Sequence, residues 1–77
     1  MIETVIYTPE KVLFEGKVKS LVFPGEQGIF EVLSYHKPMV TRLIGGTIVI
    51  NDGEKVFAIR CGIAGISRNR ASVVVEE

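Results

Sequence analysis

The feature that most constrains this chain is the balance of its aliphatic residues, which favours β-branched side chains over the residues most frequent in helices. Valine and isoleucine together number 20, whereas alanine and leucine together number only 7. β-Branched side chains lose rotamer freedom in a helix, but they pack well on the pleated surface of a sheet. The composition therefore predicts an all-β structure.

Turn signals divide these residues into short runs. Asp52-Gly53 lies between two β-rich runs and is a strong hairpin signal. The only window that could form a helix, Val32–Ile44, is interrupted by Pro38. We expect nine to ten short strands folded as a small, flattened two-sheet β-sandwich. The predicted strands are Ile2–Tyr7, Val12–Phe14, Lys17–Phe23 with a bulge at Lys19-Ser20, Ile29–Leu33, Met39–Ile44, Thr47–Asn51, Lys55–Arg60, Cys61–Ser67 with a bulge or close backbone approach at its glycines, and Ala71–Val75.

Length and charge limit the classes of function. A chain of 77 residues predicts a single domain, residues 1–77. Such a chain buries only about 60% of its unfolded surface, so a partner would help to stabilise it. Nine basic residues balance nine acidic ones. This neutrality argues against a nucleic-acid-binding module and against electrostatic attachment to anionic lipid.

Compartment and membrane signals are few. The single Cys61 cannot form an internal disulfide, which fits a reducing compartment. Glu3 stands where a signal peptide would carry basic residues, and the longest apolar run is far shorter than the roughly 20 residues of a spanning helix. We expect a soluble or peripheral protein that meets the membrane only through another protein.

The candidate chemical groups are isolated from one another. His36 has no second histidine, and metal sites usually need three or four ligands, so a corner histidine that satisfies local backbone groups is favoured. Arg60 could lower the pKa of the Cys61 thiol, but without a Cys-x-x-Cys motif a small buried hydrophobe is the better interpretation. The glycines lack a phosphate-binding frame. We expect no catalytic residue, metal, cofactor or bound nucleotide.

Several predicted strands are apolar on both faces, although a thin sandwich needs only one buried face per strand. Dense core packing in a small domain is one explanation. The interpretation we favour is an outer face that another protein covers.

An ordered set of turn residues and one histidine carries a resemblance to a known family. On these residues the chain resembles the epsilon subunit of F-type ATP synthases, in a short form containing only the N-terminal β-sandwich. The similarity covers essentially the whole chain. The central frame is Pro24-Gly25-x-x-Gly28-x-Phe30-x-Val32-Leu33-x-x-His36-x-Pro38-x-x-x-x-Leu43-x-x-Gly46, with further matches at Thr8-Pro9-Glu10, Phe14-Glu15-Gly16 and Val73–Val75.

The resemblance implies a non-catalytic subunit of the rotor's central stalk. Such a subunit links the gamma subunit to the membrane ring of c subunits and couples ion translocation to ATP synthesis or hydrolysis. The implied location is peripheral, on the cytoplasmic face of a bacterial inner or plasma membrane. Longer family members carry a C-terminal two-helix hairpin, which we expect to be absent after Glu77.

The resemblance also implies two sets of contact residues. The implied gamma contacts are Thr8, Val40 and Thr41. The implied c-ring contacts are Glu26, Gly28, Ile29, Phe30, Glu31, His36, Met39 and Arg42.

The match departs from the family at two places. Ile29 stands where the family usually has a glutamate that faces the ring, and Ser34-Tyr35 stands where it usually has Pro-Gly. Residues 29 and 31 lie on the same side of a strand because side chains alternate. Glu31 is therefore one candidate to replace the missing carboxylate, and Glu26 is a second.

An all-β carrier domain of the lipoyl or biotinyl type is the alternative. Such domains present a modifiable lysine at a hairpin tip, typically beside Asp or Met. Lys55, which follows Asn51-Asp52-Gly53-Glu54, matches that arrangement poorly. An added lipoyl or biotinyl mass would favour the carrier.

Overall fold

The computed structural model describes all 77 residues, Met1–Glu77, as nine strands and one short 3-10 turn. The strands are β1 Ile2–Tyr7, β2 Val12–Val18, β3 Ser20–Gly25, β4 Gly28–Leu33, β5 Met39–Leu43, β6 Gly46–Ile50, β7 Lys55–Ile59, β8 Cys61–Ser67 and β9 Arg70–Glu76, and the turn is Asn51–Gly53. No helix long and apolar enough to cross a bilayer is present. The prediction of an all-β sandwich of short strands is confirmed.

Hydrogen bonds join the strands into one path that curls over on itself. The order is β2-β1-β9-β8-β5-β3-β6-β7, and β4 pairs with β3 beside this path. All pairs are antiparallel except that of β1 with β9, which is parallel. Strands from the beginning and the end of the chain, β1 and β9, are therefore neighbours in the sheet.

Period-two alternation fills the space inside the curl. In β1, Ile2, Thr4 and Ile6 are buried, and in β9 Ala71, Val73 and Val75 are buried. Phe23 is the largest side chain that is fully enclosed. Fifteen hydrophobic residues form one continuous core. A single residue of register change would turn these side chains outward, so burial fixes the pairing.

Two predicted boundaries around Gly16 were wrong. The second strand continues through Gly16, which pairs with Thr4, and ends at Val18. Lys19 is a corner between β2 and β3 rather than a bulge within one strand. The reason lies elsewhere in the chain, since the side-chain oxygen of Asn51 accepts the backbone N–H groups of Lys19 at 2.7 Å and Ser20 at 3.3 Å.

The glycines of β8 do not form a bulge, because the β8–β9 register runs without a shift. At Gly62 the backbones approach closely instead, and an added Cβ would lie 2.6 Å from the Val74 carbonyl oxygen. Asn69 adopts the left-handed conformation expected for the last turn, with φ of 55°.

The connections fall at two opposite ends of the sandwich. The β3–β4 end carries the β1–β2, β3–β4, β5–β6 and β7–β8 connections, where the Glu26 N–H donates to Arg42 and the Arg60 N–H donates to Glu76. The Tyr35 end carries the β2–β3, β4–β5, β6–β7 and β8–β9 connections. There the side-chain oxygen of Asn69 accepts the Tyr35 N–H at 2.9 Å.

Candidate functional site

The β3–β4 turn is a tight tip whose glycines are required by its geometry. Gly25 pairs with Gly28, so only Glu26 and Gln27 form the turn. A Cβ at Gly25 would lie 2.7 Å from the Gly28 carbonyl oxygen and 2.8 Å from the Phe30 ring. Gly28 has φ of 131°, a value that side chains disfavour. The Pro-Gly-x-x-Gly sequence therefore builds a compact projecting tip.

Alternation along β4 separates an outer face from a core face. Ile29 is 79% exposed and Glu31 is also exposed, so the prediction that they share a side is confirmed. Phe30 points the other way, and its ring lies 5.4 Å from that of Phe23. The structure thus places Phe30 against the core, which leaves Ile29 and Glu31 as the outward side chains of this strand.

β4 also has a free backbone edge, because it pairs only with β3. The Pro24 carbonyl accepts the Ile44 N–H at 2.9 Å, on the side of β3 away from β4. Ile29, opposite Pro24, therefore directs its backbone groups to the free edge, and Glu31 does the same two residues later. Glu31 is the only charged residue of this strand.

Arg42 joins the tip through the backbone, since its carbonyl accepts the Glu26 N–H at 2.9 Å. The Glu26 and Arg42 side chains are not in any ion pair. Both line an open groove of about 550 Å³ whose other residues include Ile44, Ile63 and Val74. The fold therefore brings together Glu26 and Arg42, two residues of the predicted c-ring contact set.

The remaining members of that set divide between two places. Met39 lines a small open depression with Gly28, Ile29 and Phe30. His36 lies at the opposite end of the sandwich, the Tyr35 end. Its backbone N–H donates to the Leu33 carbonyl oxygen, and its ring Nδ1 lies 2.7 Å from the Lys37 carbonyl oxygen. These local bonds are those of a corner histidine, and they hold it away from the tip.

The three predicted gamma-contact residues do not share a face. Thr8 is buried in the β1–β2 turn, where its hydroxyl accepts the N–H groups of Glu10 and Lys11, both at 3.1 Å. Val40 is 79% exposed on β5. Thr41, the next residue along, points to the opposite side of the sheet and lines the depression beside Phe30.

Cys61 differs from its sequence interpretation, because it is exposed rather than buried. Its Sγ donates to Glu76 Oε2 at 3.0 Å. That hydrogen bond, with some desolvation and the negative charge of Glu76, raises the pKa of the Cys61 thiol, and Arg60 only partly opposes the change. The thiol is therefore a weaker nucleophile than an ordinary cysteine at neutral pH.

Two rows of neighbouring side chains on the outer surface are apolar. A cross-strand row on the outer face runs from Tyr7 through Val74 to Ile63, which is 48% exposed. On the other sheet, Val56, Val49 and Val22 form a second row. The surplus of apolar outer surface expected from the two-sided strands is present.

Comparison with known proteins assigns the fold to a family. The family model of the ATP synthase delta/epsilon chain β-sandwich domain matches residues 1–77. The chain belongs to the delta/epsilon β-sandwich family. Among curated members, it is 43% identical over 74 residues to the ATP synthase epsilon chain of Nitratiruptor sp., a match covering 92% of this chain and 57% of that protein.

Two other curated family members are also similar to nearly the whole of this chain. The epsilon chain of Leptospira interrogans is 37% identical over 73 residues, covering 92% of this chain and 58% of the relative. That of Chlorobaculum tepidum is 35% identical over 75 residues, covering 94% and 85%. The chain thus spans little more than half the length of the Leptospira and Nitratiruptor family members.

Two solved structures share the family fold. One belongs to the central stalk and c-ring of the Tetrahymena thermophila mitochondrial ATP synthase, with a TM-score of 0.81, 15% identity, and coverage of 99% of this chain and 63% of that chain. The other belongs to the OSCP/F1/c-ring assembly of Euglena gracilis, with a TM-score of 0.87, 18% identity, and coverage of 99% and 51%. At these identities the likeness concerns the fold.

Family membership leaves the carrier-domain alternative without support. Lys55 is the first residue of β7 rather than a hairpin tip, and its Nζ lies 5.5 Å from the centre of the Phe14 ring.

One exposed residue, Tyr35, was not predicted as a site residue from the sequence. It is 76% exposed and has φ of 65°, a left-handed conformation that glycine adopts more easily. Its position in a turn was the sequence feature that could have drawn attention to it.

Proposed function

We propose that this chain is the β-sandwich of an epsilon-type, non-catalytic subunit in the central stalk of a bacterial F-type ATP synthase. It links the gamma subunit to the c-ring, and it lies peripherally at the cytoplasmic face of the membrane. The observation that carries the proposal is the family match over every residue of the chain. The exposed tip and the outer row of Tyr7, Val74 and Ile63 supply surfaces for two partners.

We assign c-ring contact to the β3–β4 tip and the outward side chains of β4. Glu26, Ile29 and Glu31 are exposed there, and the free edge of β4 adds backbone donors and acceptors. Gly28, Met39 and Arg42 border the same surface. Phe30 supports it from the core side, and His36 lies outside it.

We assign gamma contact to the outer face of β5, β8 and β9, where Val40, Ile63 and Val74 lie. Val40 is, with Ile29, the most exposed large aliphatic residue of the chain, and Ile63 is 48% exposed. Covering such a patch with a partner removes apolar surface from water, worth about 25 cal/mol per Å². Thr8 and Thr41 lie outside this face.

Coupling in the assembled enzyme tests the ring contact. The double variant Ile29→Asp with Glu31→Lys changes only exposed side chains, so its unfolding free energy should stay within about 0.5 kcal/mol of wild type for each change. Ion pumping per ATP hydrolysed, measured in reconstituted vesicles, should fall. Val56→Asp with Glu15→Lys makes the same charge changes on exposed positions of β7 and β2, away from the tip, and should pump normally. Normal pumping by the first variant would remove the tip from the ring interface.

Binding to purified gamma subunit tests the second contact. Ile63→Asp should weaken binding by about tenfold or more, because it places a carboxylate in an apolar interface. Val56→Asp carries the same change on the opposite outer face and should bind like wild type. Equal loss in both variants would mean that gamma does not select the β5–β8–β9 face.

A further inference from the structure

The outer edge of β4 has no neighbouring strand. β4 pairs only with β3, and the one backbone hydrogen bond that reaches it from outside that pair runs from the His36 N–H to the Leu33 carbonyl at 3.2 Å. β2 and β7 are also terminal strands, but the Phe14 and Phe57 rings meet between them, whereas the only ring contact of β4 is with β3. A free strand edge is a template for pairing with another chain.

The backbone groups along this edge recur at every second residue. Gly25 and Gly28 flank the two-residue turn and form a hydrogen-bonded pair, so bonded pairs alternate along β4 from that point. Ile29, Glu31 and Leu33 lie between the bonded pairs, and their backbone groups are directed to the free edge. All three side chains are exposed, Ile29 by 79% and Leu33 by 53%. The edge therefore presents a row that is apolar, acidic and apolar in turn.

This row is symmetric about Glu31, which makes it complementary to a second copy of itself. An antiparallel copy of β4 centred on Glu31 would place Ile29 opposite Leu33 of the second copy on both sides of the axis. Each of the three opposed pairs would exchange two backbone hydrogen bonds, about six in all. Aliphatic cross-strand pairs on a strand without proline favour such pairing. Only the axis is unfavourable, because two Glu31 carboxylates meet there with Cβ atoms about 5 Å apart.

We propose that the β4 edge is a latent pairing surface for a second copy of this chain, and that Glu31 keeps the edge open. Like charges directly opposite each other destabilise a strand pair, and pairing would also remove both carboxylates from water. Glu31 is the only charged residue of β4, so no other side chain of the strand can act in this way. The role concerns the chain by itself and does not depend on the proposed contacts with gamma or the c-ring.

Sedimentation equilibrium of the 77-residue chain tests this inference. Wild type should be monomeric, with a dimer Kd of about 1 mM or weaker. Glu31→Thr should lower that Kd at least about thirtyfold, because each of the two copies loses a carboxylate and gains a residue that favours strands. Identical sedimentation of wild type and Glu31→Thr at every concentration would overturn the proposal.

A matched substitution on another terminal strand controls for a general effect of lost charge. Glu15→Thr makes the same change at an exposed position of β2, a strand that keeps Lys17 and whose ring contact with β7 is intact. It should sediment like wild type. Equal dimerisation of Glu15→Thr and Glu31→Thr would show that net charge, rather than the position of Glu31, keeps the chain monomeric, and would reject the proposal.

A proline substitution asks whether the dimer uses the β4 edge. Glu31→Pro removes the same carboxylate and also the N–H group at the axis, and proline is tolerated on an edge strand where its nitrogen faces solvent. This variant should therefore stay monomeric, and its urea midpoint reports whether it is folded. A folded Glu31→Pro chain that dimerises as tightly as Glu31→Thr would place the contact on another surface and contradict the assignment.

Amide hydrogen exchange locates the contact even if the proline variant does not fold. In Glu31→Thr, the N–H groups of Ile29 and residue 31 should exchange more slowly as the protein concentration rises, because they become paired in the dimer. The amides of β2 and β7 should not change. Concentration-dependent protection on β2 or β7, with none on β4, would reject the β4 edge as the pairing surface.

Discussion

Single residues set the reactivity of this surface, as Cys61 illustrates. The Glu76 carboxylate accepts the thiol hydrogen bond and carries a negative charge, and both effects raise the pKa of Cys61. Glu76→Gln should therefore lower that pKa, so that more thiolate is present at pH 7 and iodoacetamide alkylates Cys61 faster. Arg60→Gln should slow alkylation, because the guanidinium favours the thiolate. Glu77→Gln is the matched control, with no hydrogen bond to the thiol. A Glu76→Gln rate equal to wild type would contradict the assigned cause.

Elements of this sandwich are held at their corners by side chains from distant turns. Asn51, in the turn between β6 and β7, accepts the backbone N–H groups of the Lys19–Ser20 corner and donates to Glu54 at 2.9 Å. Asn51 also has φ of 51°. Asn51→Ala should cost about 2 kcal/mol of unfolding free energy, from lost hydrogen bonds and left-handed strain. Asn51→Asp keeps the acceptor oxygen but sets a carboxylate beside Glu54, so in combination with Glu54→Gln it should lose less than about 1 kcal/mol. Urea unfolding measures both, and amide exchange at Lys19 and Ser20 should quicken only in the alanine variant.

At the scale of the whole molecule, the two ends of the curled strand path are joined by a contact between two aromatic rings rather than by backbone hydrogen bonds. β2 and β7 are the two ends of the strand path, and the rings of Phe14 and Phe57 meet between them with centres 6.1 Å apart. A double-mutant cycle of Phe14→Leu and Phe57→Leu should give a coupling energy of about 1 kcal/mol in urea unfolding. Phe14→Leu with Phe30→Leu, whose rings are not in contact, should be additive to within about 0.5 kcal/mol. Additivity in the first pair would show that the seam does not depend on these rings.

The sequence by itself determined the features of this protein that arise from short-range geometry. β-Branched runs and turn residues located the nine strands, because alternation and turn conformation depend on a few neighbouring residues. The same logic predicted that Ile29 and Glu31 share one side of β4. Phe30, which the resemblance had placed among the ring contacts, packs against the core instead. At the candidate site, the Pro-Gly-x-x-Gly tip was therefore predictable.

Only the tertiary structure decided what depends on residues far apart in the chain. Asn51 fixes the corner at Lys19 from 32 positions away. The local sequence pattern does not contain this contact and therefore predicted a bulge there. Strand order placed Arg42 beside Glu26 and His36 at the opposite end, and it exposed Cys61 next to Glu76. It also placed six of the nine basic residues toward the Tyr35 end of the sandwich, namely Lys17, Lys19, Lys37, Lys55, Arg68 and Arg70. Net charge sums over the sequence, whereas an electrostatic surface depends on where the fold places each charge.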